Sequence, residues 1–207
     1  MGALSRLKVG VDVPWVTSWS DEALIGVRPC PSVDGRLAIV QQERPGSGRP
    51  QYSMNHLRRQ RESVRARLCP MCGRPTPDDD RWSQVARPSS AGVLRARGFG
   101  AMLPRDLPDE RVVLNAGSTT PLHRACAERA LLHCPHLKAY PNHELRPFPR
   151  TWGVMPLMVE AEPEAQPRHA LQMQASPPPR LPVMVVSFLQ LCGVTDDVDP
   201  HWRKGLP

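Results

Sequence analysis

Two short motifs limit what this chain can fold into: Cys69-Pro-Met-Cys72-Gly73 and, beginning at residue 123, His123-Arg-Ala-Cys126. A CxxC followed by an HxxC offers three thiols and one imidazole, and four such donors are what a structural zinc ion needs. The first pair forms a knuckle in which two thiolates converge on one ion. Gly73 lets the chain reverse where a side chain would obstruct it. A redox reading of the CxxC would need a helix amino terminus at its first cysteine within a thioredoxin-like βαβ unit, and the flanking residues suggest neither.

The second pair is expected on a helix. Thr119 or Thr120 can cap it, Pro121 suits its first position, and the stretch 122–134 is rich in Ala and Leu. His123 and Cys126 are then one turn apart on a single face. The same geometry excludes Cys134, which lies about 12 Å further along such a helix, whereas two thiolates on one zinc must lie within about 4 Å of each other. His133 is excluded for the same reason. Cys134 and His136 with His143 offer a second, partial donor set; the plainer reading is a small buried thiol and a polar helix end.

Composition explains why a metal would matter. The 207 residues include 25 prolines and 14 glycines, which predicts short elements and long connections. Aromatic content is 5% and the mean hydropathy is −0.40, so the core is thin for the length and a metal staple adds stability that burial alone does not. No segment reaches the roughly 18 to 20 apolar residues that span a bilayer. The nearest, 181–194, is interrupted by Pro182, Ser187, Gln190 and Gly193. Residues 1–16 carry Arg6 and Lys8 but no continuous apolar run, so no secretory signal is expected and the cytoplasm is the expected compartment. In that reducing setting six cysteines, partly at ligand spacing, favour metal over disulfides.

The fold class expected is α+β: a small irregular domain of short strands and two helices around the metal site. Residues 1–52 read as a β-rich segment, with Val9, Val11 and Val13 alternating and 37–40 apolar. Trp15 and Trp19 are candidate anchors for this segment, and Cys30, between two prolines, has no partner at metal spacing. Residues 53–137 form the metal module: a helix capped by Ser53, the knuckle, an insertion and the HxxC helix. In the insertion, 82–85, 93–97 and 111–114 are candidate strands. Residues 138–160 extend the module with a strand at 151–160, 161–180 are a Pro-rich linker, and 181–207 hold an apolar run, 183–191, and a polar end.

The formal net charge is +7, and of 27 basic residues only Lys8, Lys138 and Lys204 are lysine. Arginine suits bidentate contact with phosphate, although a GC-rich genome encodes the same excess. In the first helix Met54, Leu57, Val64 and Leu68 share a face, and Arg58, Arg59, Arg65 and Arg67 cover the remainder. That pattern fits a basic helix on a nucleic-acid backbone. It fits equally an amphipathic helix whose arginines are solvated or paired with Glu62.

Knuckle, insertion and HxxC helix together resemble a treble-clef zinc finger over residues 66–137. The wider pattern of Arg-rich helix, LCxxCG, PLHxxCA and CPHL resembles a group of uncharacterised bacterial and phage proteins. The treble-clef resemblance implies that Cys69, Cys72, His123 and Cys126 bind one structural zinc. Treble clefs also form HNH nucleases, which need a histidine on the hairpin as general base. Residues 73–122 contain none, and Asp78, Asp79 and Asp80 read as a solvated turn. With no phosphate-binding glycine loop or nucleophile elbow either, the sequence predicts a binding protein and not an enzyme. The expected partner is DNA or RNA, or alternatively another protein, as for the similarly built LIM-type fingers. Neither a small-molecule substrate nor a membrane is expected.

Overall fold

A computed structural model describes residues 4–134, 137, 139, 145–161 and 182–194. Among these are ten strands and three α-helices, an α+β architecture. The strands are β1 (Thr17–Trp19), β2 (Leu24–Pro29), β3 (Leu37–Gln41), β4 (Pro50–Asn55), β5 (Trp82–Ser83), β6 (Arg87–Ser90), β7 (Val112–Gly117), β8 (Arg146–Pro147), β9 (Thr151–Ala161) and β10 (Val183–Val194). The helices are α1 (Leu57–Arg65), α2 (Ala91–Ala96) and α3 (Arg124–His133).

Strand β10 organises the main sheet because its sequence, VMVVSFLQLCGV, is apolar on both faces, as a central strand must be. Antiparallel β9 pairs with it from Val183↔Ala161 to Val194↔Thr151. On its other edge β10 meets β3 in parallel at Val186↔Ala38 and β7 antiparallel from Leu191↔Gly117 onward. The order is β2-β3-β10-β7-β6, with β9 also on β10. One face packs Ala38, Leu114, Ala116, Val186, Leu189 and Leu191 against Val64 of α1 and Phe148. On the opposite face Val113 and Cys192 pack against α2 through Ala91 and Leu94. Each fully buried Val, Leu or Phe side chain among these contributes about 1.5–3 kcal/mol.

On the edge away from β9, between the β3 and β7 pairings, no strand pairs with β10, and α1 fills that gap with side chains. The Gln60 amide accepts from Leu189 N at 3.0 Å and donates to Leu189 O at 2.7 Å, taking the place of a strand peptide. Arg61 donates to the Ser187 carbonyl at 3.0 Å and, through both terminal nitrogens, to that of Ile39 in β3 at 3.1 Å. Opposite Leu189 on β9 stands Pro156. Because the Leu189 backbone is turned toward Gln60, that rung exchanges no hydrogen bonds, and the missing N–H of Pro156 falls on the outer side of β9. The edge is thereby blunted against further pairing.

Several expectations are corrected. Val9, Val11 and Val13 form no strand: the N–H groups of Val11, Asp12 and Val13 all converge on the Lys8 carbonyl in a turn that Gly10 enters at φ +80°. Residues 93–97 lie in and just after a helix, α2, because Ser90 Oγ accepts from Val93 N at 3.2 Å and caps it. A third helix therefore stands where a strand was expected. The first helix does not start at Ser53, since residues 50–55 pair with β1; His56 caps it through Nδ1. The 52/53 boundary thus falls inside β4. The segments 1–52, 138–160 and 181–207 contribute β2 and β3, β9 and β10 to one sheet, into which β6 and β7 of the insertion also pair. The Pro-rich stretch 161–180, apart from Ala161, lies outside the described residues. Among the described residues no helix is long and apolar enough to cross a membrane.

Candidate metal centre

The knuckle is closed by its own backbone. Leu68 bridges Pro75, Cys69 N donates to Arg74 O at 2.8 Å, and Gly73 N donates to Cys69 O at 2.8 Å. Gly73 has φ +72°, and a Cβ there would lie 2.9 Å from Cγ of Trp15, so glycine is required twice over. Trp15 N and Val16 N donate to Met71 O and Pro70 O at 2.9 and 3.0 Å. Trp15 is thus the anchor of the amino-terminal segment, seated on the metal loop.

The second pair is carried to the knuckle by β5. Trp82 and Leu122 exchange both backbone hydrogen bonds at 2.8 Å, which fixes the approach to α3. His123 occupies the N-cap position, with φ −60° and ψ 147°, in place of Thr119 or Thr120. Its imidazole makes no cap bond because it faces the thiols. Asp80 Oδ1 accepts from Arg124 N at 2.7 Å instead, so one member of the Asp triplet caps the helix from another loop. Thr120 is buried against Ser63 Oγ at 3.1 Å.

The donor atoms of Cys69, Cys72, His123 and Cys126 all lie within 4.8 Å of one another. His123 Nδ1 is 3.5 Å from Cys72 Sγ and 4.0 Å from Cys126 Sγ. Nε2 of the same ring is 2.9 Å from the Pro75 carbonyl. A carbonyl only accepts, so Nε2 carries the proton and the Nδ1 lone pair faces the thiols, which is the outer-shell arrangement that orients metal-bound imidazoles. Bonds of about 2.3 Å to sulfur and about 2.0 Å to nitrogen put tetrahedral neighbours roughly 3.5 to 4 Å apart. The residues present therefore fit zinc.

The thiols differ in their electrostatics. Burial pushes Cys69 up despite neighbouring backbone N–H groups. Burial pushes Cys126 up to about 12, and the two other thiols add to the effect. Cys72 is also raised by burial, but hydrogen bonds from the backbone and guanidinium of Arg74, with Cys69 and His123 nearby, bring it down to about 7. Two buried thiols that resist ionisation, beside a partly buried one that ionises readily, are a setting in which a dication would supply the missing charge. Leu122, Ala127, Met71, Trp82 and Leu145 pack around the set, in which Cys69 and Cys126 are buried and Cys72 and His123 partly exposed.

The remaining cysteines and histidines stand apart. Cys30 is buried in the main core with Sγ 3.1 Å from Ser32 Oγ, and Cys192 is buried under α2. Burial raises the Cys192 thiol to about 12. Cys134 is the C-cap of α3, and His136 and His143 lie outside the described residues.

The four arginines proposed for nucleic acid are not presented together. Arg59 is 1% exposed; its guanidinium makes two 2.7 Å bonds to the Glu22 carboxylate and one to Thr17 O, so it is unavailable to a phosphate. Arg58 is exposed but bonds Glu62 and Glu43 at 2.6 and 2.8 Å. Arg65 bonds Asp34 at 2.7 Å, and Arg67 lies over Trp152, 3.8 Å from Asp78. Arg95 is paired with Asp109. Sequence reasoning missed the structural use of Arg61 altogether. Periodicity was a signal for Arg61 alone, which lies four residues after Leu57 and three before Val64 on the same face, whereas Arg59 falls on the other side of the helix.

The fold and site together define an α+β protein with a candidate Cys3His metal centre. No family model, curated protein or solved structure matches the chain.

Proposed function

We propose that this chain is a zinc-stabilised binding protein whose partner is nucleic acid. The observation that carries the metal reading is the convergence of four donors with the imidazole oriented by Pro75. Four protein ligands close a zinc site and leave no position for a substrate or water, so the role supported is structural and not catalytic. The order of knuckle and helix supports a treble-clef-like centre. Its intervening hairpin is enlarged until β6 and β7 join the main sheet. The partner reading is supported by a net charge of +7, since a basic surface favours polyanions.

Purified protein should contain about one zinc per chain. Cys69→Ser and Cys126→Ser should each lose it together with most of the cooperative unfolding signal; full metal retention by both variants would refute the site. A mobility-shift titration with random duplex and single strands should show binding that weakens steeply as salt rises. A flat titration at low salt would remove the nucleic-acid reading. It would favour the second one, a protein-docking adaptor, which is supported by the exposed apolar side chains of Val154, Met158 and Met184 on β9 and β10.

A further inference from the structure

With the α1 arginines committed elsewhere, the cations on the amino-terminal side of the molecule stand out. The Leu4↔Ser47 bridge and the Ser5 N to Gly46 O bond of 2.8 Å lay residues 4–8 against the loop 42–49. This brings Arg6, Lys8, Arg44 and Arg49 onto one lobe. All four are exposed, and none has an ion pair among the described residues.

The acids of the same lobe are all engaged. Asp12 Oδ2 accepts from Lys8 N at 2.8 Å, Asp21 Oδ2 from Ser47 Oγ at 2.7 Å, and Glu22 Oε1 from Arg44 N at 3.0 Å. Glu43 is paired with Arg58. Glu22 also neutralises Arg59. The acids therefore fix the loop backbone, and the four cationic side chains project from a positioned frame. Arg49 N donates to Ser20 Oγ at 3.0 Å, and Ser20 N to Arg49 O at 2.9 Å, which ties the far end of the loop to the body.

We infer that this lobe, and not α1, is the surface that contacts the phosphate backbone of a nucleic acid, through Arg6, Lys8, Arg44 and Arg49. The inference rests on the nucleic-acid reading above. A polyanion with one charge every few ångströms matches four exposed cations that make no ion pair among the described residues and outnumber Asp12 and Asp21 of the same lobe, and each phosphate contact releases about one counterion.

The test compares three full-length proteins for binding of a random-sequence duplex and a random single strand across a salt series. These are the unaltered chain, the quadruple variant Arg6→Gln, Lys8→Gln, Arg44→Gln, Arg49→Gln, and a charge-matched control, Arg28→Gln, Arg36→Gln, Arg97→Gln, Arg150→Gln. Metal content and unfolding midpoint are measured on all three, and the exposed positions of both sets predict that both are retained. The lobe variant should bind at least tenfold more weakly at low salt, with the slope of log K against log salt smaller by about 3 to 4. The control should lose markedly less. Equal losses in the two variants, or a larger loss in the control, overturn the lobe while leaving the nucleic-acid reading intact. Absence of binding by the unaltered chain at low salt overturns both.

Discussion

At the scale of single residues, the buried cluster around Arg59 is as consequential as the metal donors. Glu22 accepts from both terminal nitrogens of Arg59 and from Trp19 N, and His56 donates through Nε2 to Gln42 O at 2.9 Å while its Nδ1 caps α1. Removing one member of a buried pair leaves the other charge uncompensated. Arg59→Met should therefore cost about 3–5 kcal/mol in urea unfolding, and adding Glu22→Gln should recover part of it. No recovery in the double variant would refute the pairing as the cause. The pH dependence has a definite sign. Burial alone would raise the Glu22 carboxyl, but Arg59, Trp19 N and His56 hold it below its ordinary 4.5. Burial and the charge of Arg59 hold His56 below 6.5, against smaller opposing effects from Gln42, Glu22 and Glu43. Both groups bind protons more weakly in the folded chain, so the unfolded chain takes up more as pH falls and stability declines. The His56 contribution is fully present above 6.5 and is lost as pH falls through its lowered value; the Glu22 contribution is lost in the same manner below 4.5. His56→Gln should flatten the part of the decline that begins just below pH 6.5. An unaltered profile would show that His56 is not buried neutral.

At the scale of elements, α1 acts as a substitute strand. Its Gln60 amide satisfies the Leu189 N–H and C=O and also donates to Ser118 O at 2.8 Å. Gln60→Leu preserves the volume approximately and leaves at least two buried backbone groups unpaired, at about 1–3 kcal/mol each. The measurable signature is faster hydrogen exchange at the Leu189 amide, together with a lowered unfolding midpoint. Protection unchanged at that amide would mean that β10 finds another partner in the gap. Helix α3 depends on an external cap in the same spirit. Asp80→Ala should cost about 1 kcal/mol and weaken metal binding, because α3 carries Cys126 in its first turn and has His123 at its cap.

At the scale of the whole molecule, the candidate metal centre and the main sheet are linked through the chain. The chain between the two ligand pairs runs through β6 and β7 of the main sheet, and the knuckle is bonded to residues 15 and 16. Zinc here would close a long loop and reduce the entropy of the unfolded chain, as a covalent cross-link does. Chelation should therefore lower the unfolding midpoint of the entire sheet as a single transition, with amide protection falling first at 8–16, 68–76 and 122–134. Two separate transitions, with the sheet unaffected by chelator, would show the centre to be a local appendage.

The donor set was legible in the sequence because metal chemistry is local: thiols and imidazole at turn spacing, with a glycine after the second cysteine, state their purpose within a few residues. The apolar runs 37–40 and 183–191 and the strand expected at 151–160 were legible for a similar reason, since they follow from their own side chains, and they lie in β3, β10 and β9. Three features were not legible. Val93 looked like a strand residue until Ser90 capped a helix in front of it. His123 looked like a first-turn residue until the Trp82–Leu122 pairing set the start of α3 at Arg124, three positions after Pro121. The arginines of α1 looked like a solvent face, because the carboxylate that buries Arg59 lies 37 residues upstream and the carbonyls that hold Arg61 lie as far as 126 residues downstream. Sequence alone determined which atoms can bind a metal. Only the tertiary structure decided which charges are neutralised inside and which face water, because burial is a property of the packed whole and not of any segment.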